Sequence, residues 1–235
     1  MKKFGFTLSE LVVALGVIGV VAAIASPMLN GILPDKDKIA VLKVYKVLSS
    51  INRDLISDKG LYYVSNICRS KDQVGLECTD KPLAPPYDKD YYTGNSKYIR
   101  LLAASLKGSE LSSVNGAQGK IATKDGYVWE FTSATELTVD VNPNNDGKNC
   151  SYSSTCKKPD QFKFKINLKN GSVEGNDPLT LAYLANSYRL NDRKKDLKTA
   201  KSISSSDSKK ESNNSEGNNE DGNDTENNDA ENNDS

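Results

Sequence analysis

The chain has 235 residues, with 31 basic and 31 acidic side chains and no histidine. The charge is unevenly placed, because residues 202–235 carry a net charge of −8 and the remainder carries +8. Without histidine the chain lacks the commonest general base and the Ser-His-Asp and Cys-His catalytic arrangements. The composition therefore disfavours an enzyme, and we expect no catalytic residue.

The amino-terminal segment is the most apolar part of the chain. Lys2 and Lys3 precede Leu11–Pro34, a run of 24 residues without charge. As a helix this run would measure about 36 Å, enough to cross a bilayer core of about 30 Å. The positive-inside rule keeps the two lysines in the cytoplasm and places the rest of the chain outside. The sequence thus predicts a membrane segment with the head outside.

Two general explanations of this segment are a plain membrane anchor and a cleavable secretory signal. An anchor does not explain Glu10, because a carboxylate at the start of an apolar run is costly. A secretory signal fits the small residues of Ala23-Ile24-Ala25, with cleavage after Ala25, but places an acid at the end of its basic region. Both remain open as alternatives.

A third explanation comes from the residues Lys2–Glu10, which read KKFGFTLSE and join the apolar run directly. This segment resembles the processing site of type IV pilins and pseudopilins. The resemblance implies a leader of residues 1–5, cleavage between Gly5 and Phe6, and N-methylation of Phe6 by the prepilin peptidase/methylase. It also implies that Glu10 pairs with the freed amino group of a neighbouring subunit, and that Pro27 kinks the helix.

The same resemblance implies a location and partners. The chain would sit in the bacterial cytoplasmic membrane as a single-pass protein and then enter an extracellular or periplasmic filament. Its partners would be copies of itself or other pilins, and the assembly machinery of a pilus or of type II secretion. Residues 6–34 would form the transmembrane and filament-core helix. Whether the chain is a major pilin, a minor pilin or a pseudopilin stays open.

The next segment, residues 35–60, is amphipathic. Its apolar residues follow the 3-4-3-4 spacing of one helix face, and a stop signal follows at Asp58-Lys59-Gly60. We therefore expect a long spine helix, interrupted or kinked near residues 27–34 and covered by a sheet. The apolar positions that define the face are Val41, Val44, Leu48, Ile51 and Leu55.

Residues 61–175 predict a pilin-like globular head. Residues 61–118 indicate a loop region with one short helix at 97–106, and strands are expected to follow. The fold class is α+β, with four or five antiparallel strands in a meander packed on the spine helix. The predicted strands are 120–123, 127–131, 136–141, 161–168 and 172–174.

The carboxyl-terminal part divides into a basic helix at 176–201 and an acidic tail at 202–235. Asp177 and Pro178 are typical of a helix start, and the helix could run to Lys198. The tail is rich in Ser, Asn, Glu and Asp, so it cannot bury a core and is expected to be disordered.

Four cysteines follow the membrane segment and therefore predict an oxidising compartment. Their spacing favours two local disulfides, Cys68–Cys78 and Cys150–Cys156, while a zinc site built from all four is the alternative. The resemblance agrees with the second bridge, since the family often carries a disulfide near the end of its sheet.

A loop between two predicted strands offers alternating oxygen ligands followed by Gly147, as calcium loops do. The major pseudopilin of type II secretion carries a calcium site in this general area. The resemblance therefore implies that this loop could bind calcium. The competing explanation is a turn in which Asn and Asp bond their own backbone. The candidate calcium ligands are Asp140, Asn142, Asn144 and Asp146.

The function expected from these features is that of a structural filament subunit. One alternative is a minor pilin or membrane-anchored binding module that contacts DNA or another extracellular ligand through the basic cluster Arg189–Lys201. A solvated helix face explains that cluster more simply, so nucleic acid is disfavoured as a partner. The other alternative is an ordinary secreted protein cleaved after Ala25.

Overall fold

The computed structural model describes residues 8–32, 35–62, 68, 73–83, 86–144, 149–156 and 158–212. Helix α1 spans Leu8–Ile32, and helix α2 spans Lys36–Ser57. The predicted helix face of α2 is confirmed, since Val41, Val44, Leu48 and Leu55 are buried and Ile51 is half-buried. Among the described residues, no helix combines the length and the apolar character needed to cross a membrane.

The sheet contains six strands within the described residues, arranged as an antiparallel meander in chain order. Four or five strands were expected, and the extra strand is β1. The strands are β1 (Glu110–Asn115), β2 (Gln118–Ala122), β3 (Val128–Ser133), β4 (Glu136–Asp140), β5 (Gln161–Ile166) and β6 (Val173–Gly175).

Strand β1 lies in the region predicted as loop, so that prediction is wrong for residues 110–115. Its sequence, ELSSVN, has only two apolar residues, and its pairing with β2 shifts register between Ser112 and Asn115. Ser113 has a φ of 55°, a conformation rare for residues other than glycine. The strand forms because β2 supplies its hydrogen-bonding partners. The side chains of β1 alone do not indicate a strand.

The core lies between α2 and one face of the sheet. Strand β5 shows the predicted alternation, with Phe162, Phe164 and Ile166 buried and the lysines between them exposed. Helix α3 (Lys97–Ser105) confirms the predicted short helix and packs Ile99, Leu101 and Leu102 into the same core. The inner face of the sheet contributes Ile121, Trp129, Phe131, Leu137 and Val139.

Two helices follow the sheet where a single one was predicted. Helix α4 spans Pro178–Ala185 and begins as expected, because the Asp177 carboxylate accepts from the N–H groups of Leu179 and Thr180 at 3.0 and 2.9 Å. Helix α5 spans Arg193–Ser212. The prediction of a single helix to Lys198 is therefore wrong. The backbone of Asn186, with φ −100° and ψ 28°, leaves the helical conformation, and the chain turns before α5 begins at Arg193.

The predicted boundary of the acidic tail also needs correction. Helix α5 continues through residues 202–212, which were expected to be disordered. Ser202, Ser205 and Ser206 donate their hydroxyls to helix carbonyls at 2.7–2.9 Å. These bonds extend a helix whose preceding turn is packed through Ala200. Residues 213–235, the rest of the predicted tail, lie outside the described residues.

Candidate functional site

The predicted processing residues Gly5 and Phe6 lie outside the described residues, which begin at Leu8. Glu10 lies in the first turn of α1 and is exposed. A carboxylate in the first turn of a helix faces the positive end of the helix dipole, which stabilises it. The structure thus places Glu10 at the beginning of the apolar helix, two residues after Leu8, the first described residue.

Between Leu8 and Val21, helix α1 exposes its apolar side chains on all sides. The exposed fractions range from 55% at Leu11 to 65% at Val13 for the large apolar residues between Leu11 and Val21. A helix that is apolar all round normally lies in a protein interior or a membrane. The exposed residues are Leu11, Val12, Val13, Leu15, Val17, Ile18, Val20 and Val21.

Pro27 lies within α1, which continues for five residues beyond it to Ile32. The kink expected at Pro27 stays a prediction. Helix α1 ends at Ile32 and helix α2 begins at Lys36; Asp35 between them is extended, and residues 33–34 lie outside the described part. Asp35 caps the new helix, since its Oδ1 accepts from the Asp37 N–H at 3.1 Å.

An ion-pair cluster at the start of α2 is the feature that the sequence did not reveal; we call it the base cluster. Lys38 Nζ lies 2.7 Å from Asp196 Oδ2, and the two side chains are 0% and 1% exposed. Arg193 reaches the carboxylates of Asp35 and Asp37 at 3.2 and 2.8 Å. The cluster joins the beginning of α2 to α5, which lies 158 residues further along the chain.

Two neutral groups complete the base cluster. The Tyr183 hydroxyl donates to Asp35 at 3.0 Å, and burial together with the Asp35 charge raises the pKa of Tyr183. The Asn186 amide donates to Asp196 at 2.9 Å. One sequence signal could have revealed the contact between α5 and the start of α2. The spacing of one helix face is followed by Arg193, Asp196, Leu197 and Ala200. Their charges suggested a solvated surface instead.

The cysteines form the two local disulfides that their spacing favours. Cys68 pairs with Cys78 at a Cα–Cα distance of 5.4 Å, and Cys150 pairs with Cys156 at 6.1 Å. The pairing leaves no cysteine free for the alternative zinc site. Asp80 lies near the first bridge, where the sulfur atoms are already bonded to each other.

The candidate calcium loop is only partly described, since Asp146 lies outside the described residues. Asp140 ends β4, and its carboxylate accepts from the Asn142 N–H at 2.9 Å and from the Asn149 amide at 2.5 Å. Burial raises the pKa of Asp140. Asn142 and Asn144 are exposed. A calcium ion would have to compete with these amide donors, and its binding stays a prediction.

The comparisons with known proteins concern the amino-terminal segment. Residues 1–26 match the family described as the prokaryotic N-terminal methylation motif. No curated protein and no solved structure shows significant similarity to the chain. The match covers the segment whose residues indicated prepilin processing and continues into α1. The chain therefore carries the N-terminal methylation motif that is the signature of type IV pilins and pseudopilins.

Proposed function

We propose that the chain is a structural, non-catalytic subunit of a type IV pilus or pseudopilus. It is made as a prepilin, cleaved after Gly5, N-methylated on Phe6 and polymerised through its amino-terminal helix. The observation that carries this proposal is the methylation motif at residues 1–26, which leads directly into the exposed apolar helix α1. A separate head, built from α2 and the sheet, follows that helix.

Burial of α1 in the filament core keeps the helix out of water once it has left the membrane, although transfer from lipid itself gains little from the hydrophobic effect. Relative to water, fully burying one large aliphatic side chain stabilises by about 1.5–3 kcal/mol, so the eight exposed residues between Leu11 and Val21 offer on the order of 10 kcal/mol. Gly16 and Gly19 lie three residues apart on one face, and a Cβ at either would meet no atom within 4 Å. That face allows the helix of a neighbouring copy to approach closely.

Glu10 gives the assembled helices their register. A carboxylate buried without a partner in an apolar core costs several kcal/mol. Cleavage after Gly5 creates an amino group on Phe6, and the Phe6 amino group of one subunit pairs with Glu10 of its neighbour. The pair forms only between processed subunits, so assembly waits for the peptidase.

Before assembly, the precursor inserts into the cytoplasmic membrane with its head outside. This step rests on the sequence run Leu11–Pro34, which has no charge, and on Lys2 and Lys3 before it. The machinery involved is the prepilin peptidase/methylase and then the assembly apparatus. Membrane fractionation of the precursor tests this step, and recovery in the soluble fraction would contradict it.

The test of the whole proposal is the amino terminus of the mature protein, measured by mass spectrometry. N-methyl-Phe6 is expected. Ser26 would establish an ordinary secreted protein, Met1 would establish a plain anchor, and either result would overturn the proposal. Replacing Gly5 by a bulky residue should leave the uncut precursor on a gel.

A second pair of variants tests the role of Glu10. Glu10→Ala should permit cleavage and methylation but reduce the yield of filaments, because the neighbour's amino group loses its partner. Glu10→Asp keeps a carboxylate and should retain more assembly than Glu10→Ala. Equal filament yields from both variants and the natural chain would contradict the pairing.

A further inference from the structure

A groove runs between the second half of α2 and the turn that leads into β6; we call it the α2–β6 groove. Its volume is about 580 Å³. Helix α2 and the residues after it contribute Tyr45, Arg53 and Lys59, and the opposite wall includes Asn170, Ser172 and Val173.

The shape of the groove is held by the turn at Gly171. The Asn52 side chain donates to the Gly171 carbonyl at 3.1 Å, and Asn52 is fully buried. Gly171 has a φ of 72°, and a Cβ there would lie 2.6 Å from Ile56 Cδ1. The turn is therefore pressed against α2, and the groove exists without any bound partner.

The charge of the groove selects an acidic ligand. Arg53 and Lys59 are exposed, and within the described part of the chain neither forms a salt bridge. The described lining includes no acidic side chain. A guanidinium and an ammonium in one groove favour carboxylates, which guanidinium groups bind in a bidentate manner. The remaining lining combines serine and asparagine groups, which can hydrogen-bond a peptide backbone, with the apolar side chains of Tyr45, Ile56 and Val173.

Strand β6 forms part of one wall of the groove. It is the last strand of the sheet and pairs with β5 on one side. Val173 of this strand lines the groove.

We propose that residues 213–235 of the same chain dock in the α2–β6 groove. This segment has eight acidic residues, no basic residue and nine asparagines, so its charge complements Arg53 and Lys59 of the groove. Fully extended, its 23 residues reach about 75 Å, at 3.3 Å each. The segment begins after Ser212, which lies 16 residues, or about 24 Å of helix, beyond Asp196 of the base cluster. Helix α2, which separates the base cluster from the groove, adds at most about 33 Å for its 22 residues. The two lengths together are shorter than the reach of the segment.

Docking within one chain is favoured because the segment is tethered to the head. A short flexible tether gives an effective concentration of about millimolar order, which a second copy in dilute solution does not reach. The inference goes beyond the filament role and does not depend on it. It assigns the acidic segment to one binding site on the head. The other possibility is a general electrostatic attraction between this segment and all the basic residues of the head.

The experiment is zero-length carbodiimide cross-linking of the full-length chain in detergent, with the products mapped by mass spectrometry. The reagent joins a lysine amine to a carboxylate that contacts it. Cross-links from residues 213–235 to Lys59 should exceed those to Lys194, Lys195 and Lys198, which are exposed on α5 and much closer in sequence. A mixture of ¹⁴N- and ¹⁵N-labelled chains distinguishes cross-links within one chain from those between copies.

Two variants provide the matched comparison. Arg53→Ser removes a charge from the groove and should reduce the Lys59 cross-links several-fold. Arg189→Ser removes an exposed charge outside the groove and should leave them unchanged. Near-ultraviolet circular dichroism establishes that each variant is folded. Cross-links spread evenly over the exposed lysines, an equal loss in both variants, or isotopically mixed products alone would each overturn the proposal.

Discussion

Removing the charge of Asp196 tests whether α5 belongs to the folded head. Asp196→Asn keeps the size of the side chain but leaves Lys38, which is fully buried, without its counter-charge at 2.7 Å. Removing one partner of a buried ion pair typically destabilises by about 3–5 kcal/mol. We therefore expect the free energy of unfolding of the full-length chain to fall by about that amount.

The measurement is urea unfolding followed by tryptophan fluorescence. Trp129 is the single tryptophan of the chain and is 2% exposed, so its emission reports on the core. Asp125→Asn is the matched control, because Asp125 also lies close to a lysine, Lys43 at 2.6 Å, but both side chains are about half exposed. An exposed pair contributes about 0–1 kcal/mol, so the control should change little.

A double variant separates the cost of an unpaired charge from the loss of packing. Lys38→Met with Asp196→Leu replaces the pair by apolar side chains and should recover most of the stability lost in Asp196→Asn. If Asp196→Asn lowers the free energy of unfolding no more than the Asp125→Asn control does, the reasoning is refuted. Lys38 would then be solvated and would not depend on Asp196. Helix α5 would not be docked at the base cluster.

Three further predictions concern the head. Gly171→Ala should destabilise the head more than Gly126→Ala. Both glycines have a positive φ, but of the two only a Cβ at Gly171 would meet another side chain, Ile56 at 2.6 Å. Equal losses of stability in urea unfolding would contradict this. Burial lowers the pKa of Lys97 from 10.5 to about 8, so the folded chain binds fewer protons than the unfolded chain between these values. Stability should therefore rise with pH in this window, by up to about 1.4 kcal/mol per pH unit, and Lys97→Met should abolish the rise in pH-dependent urea unfolding. Calcium binding at the Asp140 loop should appear in calorimetric titration and weaken in Asp140→Asn, and the absence of any calcium heat with the natural chain would exclude the site.

The parts of the fold that the sequence predicts well are those in which burial leaves a periodic pattern. Val41, Val44, Leu48 and Leu55 follow the spacing of a helix face, and β5 alternates between buried phenylalanines and exposed lysines. In both elements the same side chains determine the local structure and pack in the core. Local pattern and tertiary contact therefore indicate the same element.

The elements that the sequence did not reveal depend on partners far along the chain. Strand β1 forms because β2 supplies its hydrogen bonds, although ELSSVN has little strand character of its own. The base cluster joins residues 158 positions apart. Charged residues on a helix are normally solvated, so the weak local signal, the shared face of Asp196, Leu197 and Ala200, does not by itself show that Asp196 is buried.

The candidate site divides in the same way. Gly5, Phe6 and Glu10 are assigned from a short motif, which residues 1–26 match, and their roles in processing and assembly stay predictions. The two disulfides follow from spacing, since short loops bring their ends together. The α2–β6 groove has no counterpart in the sequence, because its two walls come from α2 and from a turn more than a hundred residues later.

The base cluster also explains how α2 begins as a helix separate from α1. A helix start leaves backbone N–H groups without partners inside the helix. The Asp37 N–H donates to the Asp35 carboxylate, and the Asp35 N–H donates to the carbonyl of Leu190 at 2.8 Å. The turn between α4 and α5 thus supplies part of the amino-terminal cap of α2, and Arg193 holds the capping carboxylate in place. Because these contacts come from residues 190–196, the head extends beyond the predicted boundary at residue 175 and includes the start of α5.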